Sequence, residues 1–230
     1  MTHLLHIDSS ARPGRSGSDA HGSHTRRLSG RFVERWLAAH PADSVSYRDV
    51  GQAPPAPVSG AWIHSAFTPA AAREDWMREA LAESDTLVAE LIAADLIVIG
   101  APMYNFGMPA QLKAYIDNIV RVGLTFGFDR SRDGEPYWPM LTDKRRQVVL
   151  LTARGAYGYD AELAHLNHLE PALRNPLAYL GISDFHTAAV EYDEFGDARL
   201  AASISRAEQQ VDALVEQLGS AGGRQARAAA

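Results

Sequence analysis

Two segments of the chain, residues 95–101 and 147–152, carry uninterrupted runs of Val, Ile and Leu. Both runs are strand-sized and lack the polar alternation of a half-exposed strand. Such runs are typical of strands buried on both faces of a parallel sheet. Three further segments also predict strands. These are an apolar segment at residues 3–8, an alternating one at 44–50, and an alternating edge strand at 185–192.

Between these strands, apolar residues recur every three or four positions, which predicts amphipathic helices. In the first of them Leu28, Phe32 and Trp36 lie on one helical face. The same spacing predicts further helices around residues 87–92, 112–120 and 204–218.

Prolines make two segments less regular. Residues 51–69 contain four prolines and are predicted to be mostly irregular, although their aromatic residues indicate that they pack on the rest of the domain. The helix predicted within residues 160–180 is expected to be interrupted at Pro171 and at Pro176.

The alternation of strands and helices predicts an α/β fold with an open parallel sheet and helices on both faces. Five strands favour a flavodoxin-like, doubly wound sheet with the order 2-1-3-4-5. Ligands of such sheets bind beyond the carboxyl ends of the strands. The site is therefore expected among three loops, at residues 9–25, 102–109 and 152–160.

Composition narrows the class of protein further. The 230 residues include no cysteine, which excludes disulfides, thiolate catalysis and cysteine-ligated metals. The 22 basic and 28 acidic residues give a net charge of −6, which argues against nucleic acid as a partner. No apolar run is long enough to span a membrane, and the first residues do not resemble a signal peptide. We expect a cytoplasmic protein with one domain over residues 1–219 and a flexible C-terminal tail over 220–230.

The first loop carries hydroxyl groups at both of its ends. Ser9 and Ser10 follow the first strand, and Ser23, His24 and Thr25 lead into the first helix. Hydroxyls and free amides at a helix amino terminus bind phosphate, with help from the helix dipole. Ser23 or Thr25 can equally be a simple N-cap, and the two interpretations are compatible. The loop has no G-x-G-x-x-G motif for a dinucleotide.

The second loop is unusually apolar for a connection between a strand and a helix. It contains Met103, Tyr104, Asn105 and Phe106, followed by Gly107. A flat conjugated ring suits such a loop, with apolar side chains against one face and Asn105 and backbone amides toward the heteroatoms. Alternatively, the Met and Phe side chains simply cover the core.

The third loop places Ala153, Arg154, Gly155, Ala156 and Tyr157 beside the other two. The Arg154 guanidinium can offset negative charge on a reduced cofactor ring, or it can pair with one of the chain's acidic residues.

Other chemistries have less support. A serine hydrolase would use Ser9 or Ser10, but the G-x-S-x-G motif is absent. His165 and His168 have helical spacing without accompanying carboxylate ligands, so a metal site is not expected.

Together the motifs resemble the FMN-dependent NADH:azoreductases of the flavodoxin-like quinone reductase superfamily. The resemblance covers roughly residues 3–218. It rests on Ser9-Ser10, on Ser23-x-Thr25, on A-P-M-Y-N-F at 101–106 and on T-A-R-G at 152–155. It implies a homodimer that transfers two electrons from NADH or NADPH to quinones or azo compounds.

The resemblance also assigns roles to individual residues. The FMN phosphate and ribityl chain would be held by Ser10, Ser23, His24 and Thr25. The isoalloxazine ring would contact Met103, Tyr104, Asn105 and Phe106. Its pyrimidine side would be flanked by Ala153, Arg154, Gly155 and Ala156.

The chain departs from the family pattern at two places. The loop at residues 11–22 is enlarged and contains Arg12 and Arg15. Ala153 and Ala156 replace a serine and a glycine, which removes a hydroxyl group from the pyrimidine side. In addition, residues 129–141 are expected to form a substrate wall.

We therefore expect a ping-pong oxidoreductase in which the flavin carries the chemistry. Arg154 and the amides near Gly155 are the candidates for stabilising the anionic reduced ring, and Tyr157 is a candidate for the pocket lining. Three alternatives remain: a quinone reductase with incidental azo activity, a flavodoxin-type electron carrier that does not turn over nicotinamide, and a flavin-free binding protein of the same fold.

Overall fold

A computed structural model describes the backbone of residues 1–228 and the side chains of residues 1–220. The strands are β1 (His3–Asp8), β2 (Ser44–Asp49), β3 (Leu96–Pro102), β4 (Phe126–Phe128), β5 (Tyr137–Pro139), β6 (Gln147–Ala153) and β7 (Asp184–Val190). The helices are α1 (His24–Ala39), α2 (Gly60–Phe67), α3 (Asp75–Ala93), α4 (Ala110–Ile119), α5 (Leu169–Leu180) and α6 (Ala198–Ala228). The tail predicted over residues 220–230 lies, apart from Ser220, outside the described side chains and stays a prediction.

The central sheet has five parallel strands in the order β2-β1-β3-β6-β7. Strands β4 and β5 form a separate antiparallel hairpin, so β6 and β7 are the fourth and fifth strands of the central sheet. The order is therefore the predicted 2-1-3-4-5, and the fold prediction is confirmed. The last residue of β1, Asp8, pairs with Asp49 of β2 and with Gly100 of β3. The carboxyl ends of these strands therefore lie side by side.

The sheet is covered by helices on both faces, which explains its uninterrupted apolar strands. Alternate residues of β6 point into two separate cores: Val148 and Leu150 pack with α3, α4 and α5, whereas Val149 and Leu151 pack with α1 and α6. Among the described residues, none of the helices combines the length and apolar character that a bilayer-spanning segment needs.

The predictions for the two proline-containing segments have different outcomes. Residues 51–69 are mostly irregular, as predicted, but they include the short helix α2, whose first turn is capped by Ser59. The predicted interruptions of the second segment are wrong. Helix α5 continues through Pro176, and Pro171 lies in its first turn, where no internal N–H donor is required. The leucines of α5 are buried along one face, and this packing outweighs the hydrogen bond lost at Pro176.

The role of residues 129–141 as a substrate wall stays a prediction. This segment belongs to the β4–β5 hairpin, in which Phe126 and Tyr137 pack against Tyr179 of α5 at ring distances of 5.2 and 6.0 Å. It contributes no residue to the cleft of its own chain that is described below.

Candidate functional site

A cleft of about 220 Å³ lies at the carboxyl edge of the sheet, where the predicted loops meet. Its walls come from the loops after β1, β3, β6 and β7. They comprise Ser10, Arg12, Ser23, His24, Pro102, Met103, Tyr104, Ala153, Gly155, Asp193 and Glu194.

One end of the cleft is the amino terminus of α1. Ser23 is the N-cap, and its side chain accepts a hydrogen bond from the Arg26 N–H at 3.3 Å. Thr25 is fully buried behind it, with its hydroxyl 2.9 Å from that of Ser23. Within the described residues, the backbone N–H groups of Ser10, His24 and Thr25 have no protein acceptor. The cap and the anion site are thus both present, and this donor set fits a phosphate group.

His24 joins two loops on opposite walls of the cleft. Its Nδ1 lies 2.8 Å from the Ser16 hydroxyl and its Nε2 lies 3.1 Å from a carboxylate oxygen of Asp193. The hydrogen bond from His24 holds the pKa of Asp193 below its usual range. Ser9 and Ser10, the candidate nucleophiles of a serine hydrolase, form no hydrogen bond with His24 or Asp193. The Ser9 hydroxyl donates to the Gly100 carbonyl, and the Ser10 hydroxyl accepts from the Arg12 N–H. The geometry therefore does not support that alternative.

The apolar loop after β3 makes a tight turn at the other end of the cleft. Tyr104 and Gly107 exchange backbone hydrogen bonds of 2.9 and 3.0 Å, and the two residues between them, Asn105 and Phe106, have φ values of +47° and +69°. This is the geometry of a type I′ turn, which usually has glycine where Phe106 lies. The Tyr104 hydroxyl accepts a hydrogen bond from the Ala11 N–H at 3.3 Å, which connects this loop to the first one.

The positive φ of Phe106 leads to a prediction about stability. A side chain in this conformation costs roughly 1 kcal/mol, and the exposed Phe106 ring recovers little of it by burial. We expect Phe106→Gly to raise the free energy of unfolding by roughly 0.5–1 kcal/mol in urea titrations of the apoprotein. Phe67, which is also exposed but lies in a helix, is the control. Phe67→Gly should lower stability, and an equal loss from both variants would contradict the turn argument.

Arg154 is not placed where the sequence analysis expected it. Its fully buried guanidinium bonds to Glu170, to Asp160 at 3.1 Å and to Glu191 at 3.4 Å, and it does not line the cleft. Burial alone would lower the pKa of Arg154, but the hydrogen bond to Asp160 and the three carboxylate charges raise it. The guanidinium is therefore paired with acidic residues, which is the second of the two possibilities that the sequence left open, and this geometry does not support a role at a reduced ring.

Several other candidates lie beside the cleft without lining it. Tyr157 stacks on Tyr192 at 4.7 Å, next to Phe195. Asn105 and Phe106 are exposed at the tip of the turn, and the Ala156 carbonyl accepts from the Tyr192 N–H at 3.1 Å. Among the described residues, no group of three or more histidine and acidic side chains is arranged to hold a metal ion.

Two acidic residues of the cleft were missed by the sequence analysis. Asp193 and Glu194 follow β7, and the Glu194 side chain lies against Gly155 so closely that a Cβ atom there would overlap it. The rule that ligands bind beyond the carboxyl ends of the strands could have located these two residues, because the loop after the fifth strand also lies at that edge.

Comparison with known proteins gives a consistent result. The family described as having a flavodoxin-like fold matches residues 2–215. An FMN-dependent NADH:quinone oxidoreductase 2 of Idiomarina loihiensis is 41% identical over 220 residues, which are 95% of this chain and 91% of that protein. An FMN-dependent NAD(P)H:quinone oxidoreductase 1 of Pseudomonas aeruginosa is 39% identical, over 93% of this chain and 98% of its own.

Solved structures are similar in fold. An azoreductase from Bacillus anthracis superposes with a TM-score of 0.81 at 22% identity, over 94% of this chain and all of that chain. An FMN-dependent NADH-azoreductase of the same species, solved in complex with FMN, has a TM-score of 0.79 at 17% identity, over 95% of this chain and 99% of that one.

Proposed function

The chain belongs to the family with the flavodoxin-like fold, and from this premise we propose that it is an FMN-dependent NAD(P)H:quinone oxidoreductase. It passes two electrons from a nicotinamide to a quinone or an azo compound. The observation that carries the proposal is a cleft that joins a helix amino terminus with free N–H donors to a wall of Met103 and Tyr104. Full-length similarity to quinone oxidoreductases supports it.

The residues of the cleft fit FMN at both ends. The free N–H groups of Ser10 and His24 and the hydroxyls of Ser10 and Ser23 would bind the phosphate and ribityl chain, with Thr25 fixing the Ser23 hydroxyl. Met103 and Tyr104 of the cleft wall would contact the ring, and Asn105 and Phe106 are assigned to it as the adjacent tip of the same turn. Bound FMN supplies the ability to accept a hydride from NAD(P)H and to return two electrons.

The pyrimidine side of the ring is assigned to the loop after β6. Ala153 and Gly155 line the cleft, and Ala156 follows them. Neither alanine offers a side-chain hydrogen-bond donor, so the backbone amide of Gly155 is the polar group of this wall. The nicotinamide and the acceptor would occupy the same open side of the cleft in turn, which gives ping-pong kinetics.

A flavodoxin-type electron carrier is the alternative to be tested. We expect purified protein to be yellow with FMN bound, and we expect NADH or NADPH alone to bleach the flavin absorbance under anaerobic conditions. Addition of a quinone should then restore the absorbance. A protein that binds FMN but needs a partner reductase for bleaching would be a carrier, and a protein that does not take up FMN would contradict the proposal altogether.

We also propose that the protein is a homodimer. Exposed apolar side chains, among them Ile63, Phe67 and Leu124, support it, because such side chains are commonly covered in assemblies. Phe67 and Leu124 line one groove of about 280 Å³. Light scattering tests this proposal, and a mass equal to that of one chain would contradict it.

Two coarser properties are proposed with it. A single domain over residues 1–219 is supported by the family match to residues 2–215. A cytoplasmic location is supported by the absence of cysteine, because the chain needs no oxidising compartment.

A further inference from the structure

Arg26 of α1 is a buried arginine whose five N–H donors are all occupied. Its side chain is only 4% exposed, and it does not line the cleft. Nε donates to the Arg12 carbonyl at 2.7 Å, Nη1 to Asp49 at 2.7 Å and to the Tyr47 hydroxyl at 3.1 Å, and Nη2 to Asp49 at 2.7 Å and to the Ser10 carbonyl at 2.9 Å.

The sheet holds this guanidinium in place from one side. Asp49 at the end of β2 binds it in a bidentate geometry, and Asp8 at the end of β1 lies 3.6 Å from it. Burial would raise the pKa of Asp8, but the close contact with His6 at 3.3 Å, the hydrogen bond from Ser29 and the charge of Arg26 lower it. Asp8 therefore remains an anion, and Arg26 is bound between two carboxylates on rigid strands.

The other side of the guanidinium holds the loop after β1. The Ser10 carbonyl points to Arg26, and in a trans peptide the following N–H points the opposite way. That N–H, of Ala11, donates to the Tyr104 hydroxyl on the cleft wall. The Arg12 carbonyl is held in the same manner, while the Arg12 N–H donates to the Ser10 hydroxyl within the cleft. Arg26 thus determines which polar groups of this loop face the cleft.

We propose that Arg26 is a positioning residue that makes the cleft select the phosphorylated flavin, FMN, over riboflavin. With Asp49 as its anchor, it fixes the peptides at Ser10 and Arg12 so that the phosphate end of the cleft is formed before the ligand arrives. This inference rests on the proposed FMN-dependent function. Riboflavin, which lacks the phosphate, would gain less from the ordered loop than FMN does.

The test compares the affinities of the full-length apoprotein for FMN and riboflavin, measured by quenching of flavin fluorescence. In Arg26→Lys the charge is kept, but one ammonium group cannot reach Asp49 and both carbonyls together. We expect the Kd for FMN to rise about tenfold or more, a typical effect of lost charged hydrogen bonds, and the Kd for riboflavin to change by less than about threefold. Asp49→Asn removes only the anchor charge and should shift the ratio of the two constants in the same direction.

Arg146 provides a matched control. It is also buried, at 3% exposure, and it donates to backbone carbonyls of Leu141 and Ile92 and pairs with Asp143, away from the cleft. Arg146→Lys should leave the ratio of the two constants unchanged.

The outcomes separate the two proposals. Failure of the wild-type protein to bind FMN would overturn the proposed function. An unchanged ratio in folded Arg26→Lys, with normal FMN binding by the wild type, would overturn only the role of Arg26. Should Arg26→Lys not fold, as judged by circular dichroism, Asp49→Asn decides in the same way.

Discussion

Arg154→Met is expected to lower the free energy of unfolding by about 3 kcal/mol, because it removes the buried cation that three carboxylates share. Among the described residues, Glu170 would then keep only the half-exposed Arg174, at 3.4 Å, as a cationic partner. Glu170 dominates this cost. Its side chain is only 12% exposed, whereas Asp160 and Glu191 are more accessible to water. Removal of one partner from a buried ion pair is costly because the remaining charge is left without compensation.

Urea unfolding followed by circular dichroism measures this effect. Arg145, which pairs with Asp184 but is 56% exposed, is the control, and Arg145→Met should cost less than about 1 kcal/mol. Arg154→Met protein that remains folded at low temperature should still bind FMN, since Arg154 does not line the cleft. If Arg154→Met had wild-type stability but its flavin were no longer reduced by NADH, the structural role of Arg154 would be contradicted and a role at the ring would be supported.

The sheet could be predicted because each strand is recognisable from its own consecutive residues. Residues 96–99 of β3 and 148–151 of β6 are apolar at consecutive positions, because both faces of these strands are covered. The carboxyl-end rule then located the cleft without knowledge of any contact. Seven of the twelve predicted cofactor-binding residues line the cleft, namely Ser10, Ser23, His24, Met103, Tyr104, Ala153 and Gly155.

The fate of charged side chains was not predictable in the same way. Arg26 and Arg154 both lie in or next to the predicted loops, yet both are buried against carboxylates that are distant in sequence. Asp49 is 23 positions from Arg26, and Glu170 and Glu191 are 16 and 37 positions from Arg154. Which carboxylate meets which guanidinium depends on strand register and helix packing, and periodicity carries no information about either. Helix α2 was missed for a different reason: its eight residues follow three prolines, and its formation depends on the Ser59 cap and on packing against α3.

Gly51 shows how closely the loop after β1 is fitted to the sheet. It follows β2, and its N–H donates to the Asp8 carbonyl at 3.1 Å. A Cβ atom at this position would overlap the Ser10 carbonyl oxygen and would lie 3.0 Å from Nη2 of Arg26. Because the overlapped atom is backbone, no side-chain rotation can relieve the contact. The hydrogen bond from Arg26 to the Ser10 carbonyl therefore requires a residue without a side chain at position 51.

We accordingly expect Gly51→Ala to lower the free energy of unfolding by roughly 2–3 kcal/mol and to raise the Kd for FMN more than that for riboflavin. The added methyl group must displace the Ser10 carbonyl, so the peptide that directs the Ala11 N–H to the cleft wall loses its orientation. Gly60, at the start of α2, has no atom within 4 Å of an added Cβ, and Gly60→Ala should cost nothing. A Gly51→Ala protein with wild-type stability and flavin selectivity would mean that the loop tolerates another path and that Arg26 does not determine its shape.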